Sequence, residues 1–169
     1  MNRFVPVKAL LLLLLITPAV YAEKGDREKP IKIAAANCVM NQKTQSSVCT
    51  KDVVLTQGTL SIRGDKLTVR QDEAGNQFVA GNGSPVRFRQ KMDGAGNEWV
   101  DAEAQRFDYD GRKGELKLMD KAWVKRGEDQ IYSDVITYDL NNEAYQAQSK
   151  PEGGGRVNIV ITPKKAPAP

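Results

Sequence analysis

The sequence predicts an all-β protein, an antiparallel structure of roughly 12–16 short strands arranged as two similar halves. Three observations carry this. Apolar and polar residues alternate with a period of two in run after run, as in a strand with one buried face. Clusters of turn-forming residues separate the runs at intervals of about 8–12 residues, the spacing of a sandwich, barrel or roll, and leave no room for parallel crossovers. A pattern of small–x–x–apolar–x–apolar recurs at residues 35–40, 64–69, 104–109 and 133–138. Successive copies lie 29, 40 and 29 residues apart, so the second half repeats the first at an offset of 69, and Gly58 and Gly127 obey the same offset. Units that each offer one apolar face must stack to bury it.

Taken in chain order, the first 22 residues read as a secretory signal peptide. Arg3 and Lys8 are basic, residues 9–16 are apolar, and Val20 and Ala22 are small residues at the −3 and −1 positions of a cleavage site. The apolar run falls short of the about 20 residues that span a bilayer. Removing 22 of 169 residues leaves 147, enough for one domain with a core, and removing Arg3 and Lys8 takes the formal net charge from +4 to +2. Residues 23–29 form a charged tail, residues 30–162 the domain, and residues 163–169 a Pro/Lys-rich tail; both tails are expected to fray.

The stretch NCVMNQKTQSSVC, residues 37–49, holds the only two cysteines, Cys38 and Cys49. Export places them in an oxidising compartment, which favours a structural disulfide over a partial metal site or a redox pair. If Lys43-Thr44 is a hairpin tip and Gln42 pairs with Gln45, Cys38 faces Cys49 within bridging distance. The 69-residue offset carries that pair onto Phe107 and Leu118, an apolar pair. The bridge is therefore expected to replace an inward cross-strand contact, and a loop this short contributes about 2–3 kcal/mol.

Alternation assigns the inward side of each strand. Ile31 and Ile33 open the sheet. Val53 and Leu55 follow, then Leu60 and Ile62, then Leu67 and Val69. Beyond a DEAGN turn and a Gly-x-Gly-x-Pro turn at residues 81–85 come Val86 and Phe88. Phe107 and Tyr109, Leu116 and Leu118, then Ile131, Ile136 and Tyr138 complete the set. Val157, Ile159 and Ile161, in RVNIVIT, close the sheet; with Ile31 and Ile33 they mark two edges open to another chain. Trp123 lies between Ala122 and Val124, and alternation leaves its side open. Asp65 and Asp134 occupy equivalent positions, which favours turn or strand-start hydrogen bonding over a catalytic carboxylate pair. Arg87 and Arg89 flank Phe88 on the opposite parity, as a solvated face or a rim that meets phosphate groups.

The composition excludes several chemistries. With no histidine, there is no Ser-His-Asp triad, Cys-His dyad or His-ligated zinc site. No metal, cofactor or catalytic residue is expected, and no basic stripe with interleaved aromatics points to nucleic acid.

The segments PIKI (residues 30–33), DVVLTQGTLSI, GDKLTV, the Gly81–Pro85 turn and SDVITYDL, in that order and spacing behind a signal peptide, resemble the OstA-like family of periplasmic bridge proteins of lipopolysaccharide transport. The resemblance covers residues 30–162. It implies an open, V-shaped antiparallel β-jellyroll whose apolar interior shelters the acyl chains of lipid A. It also implies end-to-end self-association by strand addition, an inner-membrane jellyroll partner on the N-terminal side and an outer-membrane lipopolysaccharide inserter on the C-terminal side. Ile31, Phe88 and Tyr109 match positions that line the family's lipid groove, whereas Gly111 stands where the family often has an apolar residue. Two other readings compete: a periplasmic module for another ligand, such as a glycan-binding jelly roll, and a structural protein that polymerises by its edges around a dry core.

Overall fold

The computed structural model describes residues 25–26, 29–92, 98–150 and 155–163. The signal-peptide expectation falls outside the described residues, as do residues 164–169 of the C-terminal tail. Among the described residues ten strands form: β1 (Lys32–Ala34), β2 (Asn37–Asn41), β3 (Ser46–Gln57), β4 (Leu60–Gln71), β5 (Gln77–Lys91), β6 (Trp99–Asp110), β7 (Glu115–Arg126), β8 (Asp129–Asp139), β9 (Ala144–Gln148) and β10 (Asn158–Val160). Every pairing is antiparallel. The order across the sheet is β1-β3-β4-β5-β6-β7-β8-β10, with β2 also on β3 and β9 also on β8.

A line of irregularities crosses the sheet at mid-strand. The register shifts between Thr50 and Val53 on β3, Arg63 and Lys66 on β4, Asn82 and Val86 on β5, Glu103 and Arg106 on β6, and Met119 and Ala122 on β7. Bulges bend a strand and sharpen its twist. Aligned in a row, they fold one sheet into two facing half-sheets, as strands do when they turn a corner between packed sheets. The upper half-sheet holds β1, β10 and one segment of each of the six long strands; the lower holds β2, β9 and the other segments. Sixteen segments are thus carried by ten strands. The expected short strands LSIR and KLTVR are the two arms of β4, and GNGSP is the bulge of β5 rather than a turn. Pro85 is tolerated there because the ladder is already interrupted.

The small residues of the repeated pattern mark this corner. Gly64, Ala104 and Ser133 lie in the bulged stretches of β4, β6 and β8, and Ala35 lies between β1 and β2. At Gly64 an added Cβ would come within 2.9 Å of the Asn82 carbonyl oxygen, so a larger residue would push the corner apart.

The repeat is one of backbone as well as sequence. An offset of 69 carries β3 onto β7 and β4 onto β8, and carries β1 and β2 onto the two arms of β6. Registers follow: Cys38 pairs with Cys49 as Phe107 pairs with Leu118, and Val53 pairs with Gly64 as Ala122 pairs with Ser133. Left-handed backbone recurs too, at Lys51 and Asp52 (φ 66° and 51°) and at Asp120 and Lys121 (φ 63° and 55°).

The core lies between the half-sheets. Phe107, Leu55, Leu67, Leu118, Ile136, Val53 and Val86 are the largest fully buried side chains. Phe88 of the upper half-sheet meets Phe107 of the lower edge-to-face, with ring centroids 4.7 Å apart. Such a contact adds about 0.5–1.5 kcal/mol to the burial itself.

Among the described residues, no pairing joins the β1–β2 edge to the β9–β10 edge, so the roll is open. Asp26, in the charged segment before the domain, is held against Thr59 and Gln90. Its carboxylate accepts hydrogen bonds from the Thr59 N–H (2.8 Å), the Thr59 hydroxyl (2.5 Å) and the Gln90 amide (3.2 Å). Burial pushes Asp26 up, but those hydrogen bonds outweigh it and hold its carboxyl below the ordinary value of 3.8.

Candidate functional site

The apolar cleft between the half-sheets is the candidate site. Alternation along each strand sends every second side chain into it. Of the seventeen residues assigned inward from the sequence, sixteen lie in the core between the half-sheets or pack against it. Val53, Leu55, Ile62, Leu67, Val86, Phe88, Phe107, Leu118 and Ile136 are buried. Ile31, Ile33, Leu60, Val69, Tyr109, Leu116 and Ile131 are partly buried and pack against them. Tyr138 is half-buried and stacks on Tyr145, centroids 4.5 Å apart.

Burial grades across the cleft. The spine and centre are filled, and the mouth is lined by half-buried groups. Tyr145 belongs to that mouth, where burial first, then the neighbouring Tyr138, push its phenol up to about 12. It therefore stays neutral throughout the physiological range and presents a ring with an uncharged hydroxyl.

The sequence reading missed several cleft residues. Ala102, Ala104, Ala122 and Val124 are buried, as is Val79, while Val100, Tyr145 and Ala147 pack at the margin. Val79 alternates correctly within QFVAG and was legible there. The alanines gave no apolar signal strong enough to fix a side. Ala122 and Val124 were masked by Trp123, which points outward and donates its indole N–H to Gln130 at 3.2 Å. Alternation cannot rank a tryptophan against two small apolar neighbours.

Cys38 and Cys49 are joined as a disulfide with Cα atoms 4.1 Å apart. Asn41 and Ser46 pair across a four-residue turn, so the register is as predicted although Gln42 and Gln45 lie within the turn. Asn41 organises that turn by accepting hydrogen bonds from the Lys43 and Thr44 N–H groups. The bridge joins the inward face at Cys49, which belongs to the core, but its Cys38 end lies at the open edge. Cys49 is 2% exposed, but Cys38 is exposed, because among the described residues β2 has a neighbour on one side only.

The remaining candidates are structural. Asp65 lies 3.5 Å from the Ser84 hydroxyl and Asp134 accepts from the Lys150 N–H at 2.8 Å, each linking a bulge to the next segment of chain. Arg87 pairs with Glu103 at 3.0 Å and Arg89 with Asp101 at 3.7 Å, on the outer face. Exposed pairs of this kind contribute little. Two depressions of about 490 and 510 Å³ are lined largely by charged and polar side chains, the first also touching Phe88 and Ala102 and the second Val79 and Tyr109.

Gly111 follows β6 and donates its N–H to the Gln77 carbonyl at 2.8 Å. A Cβ here would collide with that same carbonyl oxygen, so the close approach of the two strands requires glycine.

Large apolar side chains are exposed mainly at the two edges. On β2, Val39 and Met40 are each 73% exposed. On and beside β10, Ile159 is 58% and Ile161 75% exposed, with Val157 and Val160 also exposed. Of the five residues assigned to assembly edges, Ile159, Ile161 and Val157 are exposed, and Ile31 and Ile33 are half-buried on the upper rim. β10 is shorter than RVNIVIT suggested, spanning only Asn158–Val160.

Residues 32–144 match the family described as "LptA/(LptD N-terminal domain) LPS transport protein". The lipopolysaccharide export system protein LptA of Escherichia coli (strain K12) is 30% identical over 147 residues, covering 86% of this chain and 77% of that protein. LptA of Haemophilus influenzae is 29% identical over 156 residues, 90% of this chain and 88% of its own. Among solved structures, LptH, described as the LptA homologous periplasmic component of the conserved lipopolysaccharide transport device from Pseudomonas aeruginosa, superposes with a TM-score of 0.74. It is 26% identical and covers 82% of this chain and 99% of its own.

Proposed function

The chain belongs to the LptA/LptD N-terminal-domain family of lipopolysaccharide transport proteins, and from that premise we propose that it is a periplasmic carrier that shelters lipid A acyl chains in its β-cleft between the two membranes. It is a transport protein and not an enzyme. The observation that carries the reading is the cleft itself: an apolar interior between two half-sheets whose far edges are not joined. Acyl chains crossing water cost about 0.8 kcal/mol per exposed methylene, and an apolar trough removes most of that cost without any reacting group.

Acyl chains enter at the half-buried mouth, past Tyr109, Leu116 and Tyr145, and reach the centre as the half-sheets part and Phe88 separates from Phe107. The two open edges, rich in exposed apolar side chains, join copies end to end by strand addition. The inner-membrane jellyroll partner and the outer-membrane inserter would extend the same row at its two ends.

Photocrosslinking tests the cleft. Benzoylphenylalanine at position 88, with dispersed lipopolysaccharide, should capture lipid, while the same group at position 87 on the outer face should not. Capture at both positions, or at neither with the protein folded, would favour a dry structural core.

A further inference from the structure

The 69-residue repeat divides the sheet into two units. The first runs from β1–β2 through β3 and β4 to β5; the second runs from β6 through β7 and β8 to β9–β10. The equivalence of β5 with β9 and β10 is set by what they pair with. Gly81 pairs with Leu67 as Ala147 pairs with Ile136, and Phe88 pairs with Ile62 as Ile159 pairs with Ile131. Both matches are made across β4 and β8 at the same offset of 69. Gly81 and Phe88 lie 7 positions apart and Ala147 and Ile159 lie 12 apart, yet both registers match.

Inside the chain, the end of unit one meets the start of unit two at the β5–β6 seam. There Ala80 pairs with Asp108, Gly81 with Phe107 and Phe88 with Ala102. The free edge of β9–β10 is therefore laid out like the β5 side of that seam, and the free edge of β1–β2 like the β6 side. We infer that the junction between two copies reproduces the β5–β6 seam register for register, and that the Cys38–Cys49 bridge holds β2 in place to form its lower half. This rests on the reading of the two edges as assembly surfaces. Gln146 of one copy then faces Val39 of the next, Ala147 faces Cys38, and Ile159 faces Ile33.

The side chains fit this register. Val39, Met40 and Ile159, exposed in the single chain, lose water at the junction. Ala147 is a small residue opposite the bulky disulfide, as Gly81 is small opposite Phe107; a Cβ on Gly81 would come within 2.6 Å of the Phe107 ring.

The role of the bridge follows from what β2 lacks. The matching arm of β6 is paired on both sides and anchored by Phe107, 1% exposed. β2 is paired on one side, and all five of its residues are exposed. Its covalent tie to β3 replaces the missing neighbour.

Sedimentation of the purified protein, oxidised, tests the register through charge. Like charges directly opposite on paired strands repel and opposite charges attract. Val39→Glu with Gln146→Glu should weaken self-association about fivefold, and Val39→Glu with Gln146→Lys should restore it. Val39→Glu with Gln148→Lys, two residues away, should not. Equal rescue by both lysines, or rescue by neither, overturns the register.

The bridge is tested with Cys38→Ser/Cys49→Ser. Amide exchange across residues 37–41 should rise to that of an unpaired segment while residues 32–34 stay protected. Association should weaken about tenfold as the hydrogen bonds of the lower half are lost. Unchanged protection at 37–41, or unchanged association, overturns the role of the bridge alone. An oxidised wild-type protein that stays monomeric at all concentrations overturns the assembly reading and this inference together.

Discussion

β6 and the pair β1–β2 occupy the same place in the two repeats, yet among the described residues β6 runs unbroken between two neighbours while β1 and β2 are short pieces with one neighbour each. The side chains have diverged accordingly. In the upper half-sheet the first repeat is bulkier, with Ile33, Val53 and Leu55 where the second has Ala102, Ala122 and Val124. In the lower half-sheet the second is bulkier, with Phe107, Leu118 and Tyr138 where the first has Cys38, Cys49 and Val69. Phe88 explains part of the exchange: with Ile62 on one side and Phe107 reached across the core, its partner on β6, Ala102, is small. One backbone repeated twice thus yields an anchored interior strand in one copy and a stapled edge in the other.

The comparison can be broken first at its anchor. Phe107→Ala removes the ring that fills the lower half of the second repeat, and is expected to cost about 3–5 kcal/mol in urea unfolding. A loss below that of the disulfide would mean that the two halves are not anchored as described. Next comes Cys38→Ser/Cys49→Ser, at about 2–3 kcal/mol, read in the same unfolding experiment.

A finer test exchanges matching turn residues. Gln45 holds φ 46° at the turn before β3, and Gly114 holds φ 67° at the turn before β7. Left-handed backbone costs a non-glycine residue about 1–2 kcal/mol. Gln45→Gly should therefore stabilise by up to about 1 kcal/mol and Gly114→Gln destabilise by a similar amount. Equal signs for the two would separate the turns that the repeat makes equivalent.

The smallest effect belongs to the Asp26 clasp on the first repeat. Its folded-state carboxyl lies below the ordinary 3.8, so its contribution is complete above that pH and is lost as pH falls below it. The difference in Tm between wild type and Asp26→Asn should be present at neutral pH and shrink below 3.8. A difference that persists at lower pH would assign the effect to shape rather than charge.

The fold was legible because period-two alternation reports burial directly, and the repeat reported the pairing. The Cys38–Cys49 register emerged from a hairpin and an offset, with no need of tertiary information. Three features were not legible. The joining of short runs into long strands turns on bulges, which look like turns in sequence because both favour Gly, Pro and Asp; GNGSP was misread for that reason. The exposure of Cys38 depends on whether a second neighbour is present, which alternation along one strand cannot report. The alanines of the cleft gave too weak a signal because a methyl group is compatible with either face.

The strand order carries one further consequence. Neighbours in the sheet are neighbours, or nearly so, in the chain. Each ladder can therefore close as soon as the next turn has emerged, with little loop entropy to overcome and no strand waiting for a distant partner. For a polypeptide that emerges N-terminus first, folding can keep pace with its emergence. The last edge to be finished, β9–β10, is also the last to be offered to anything else.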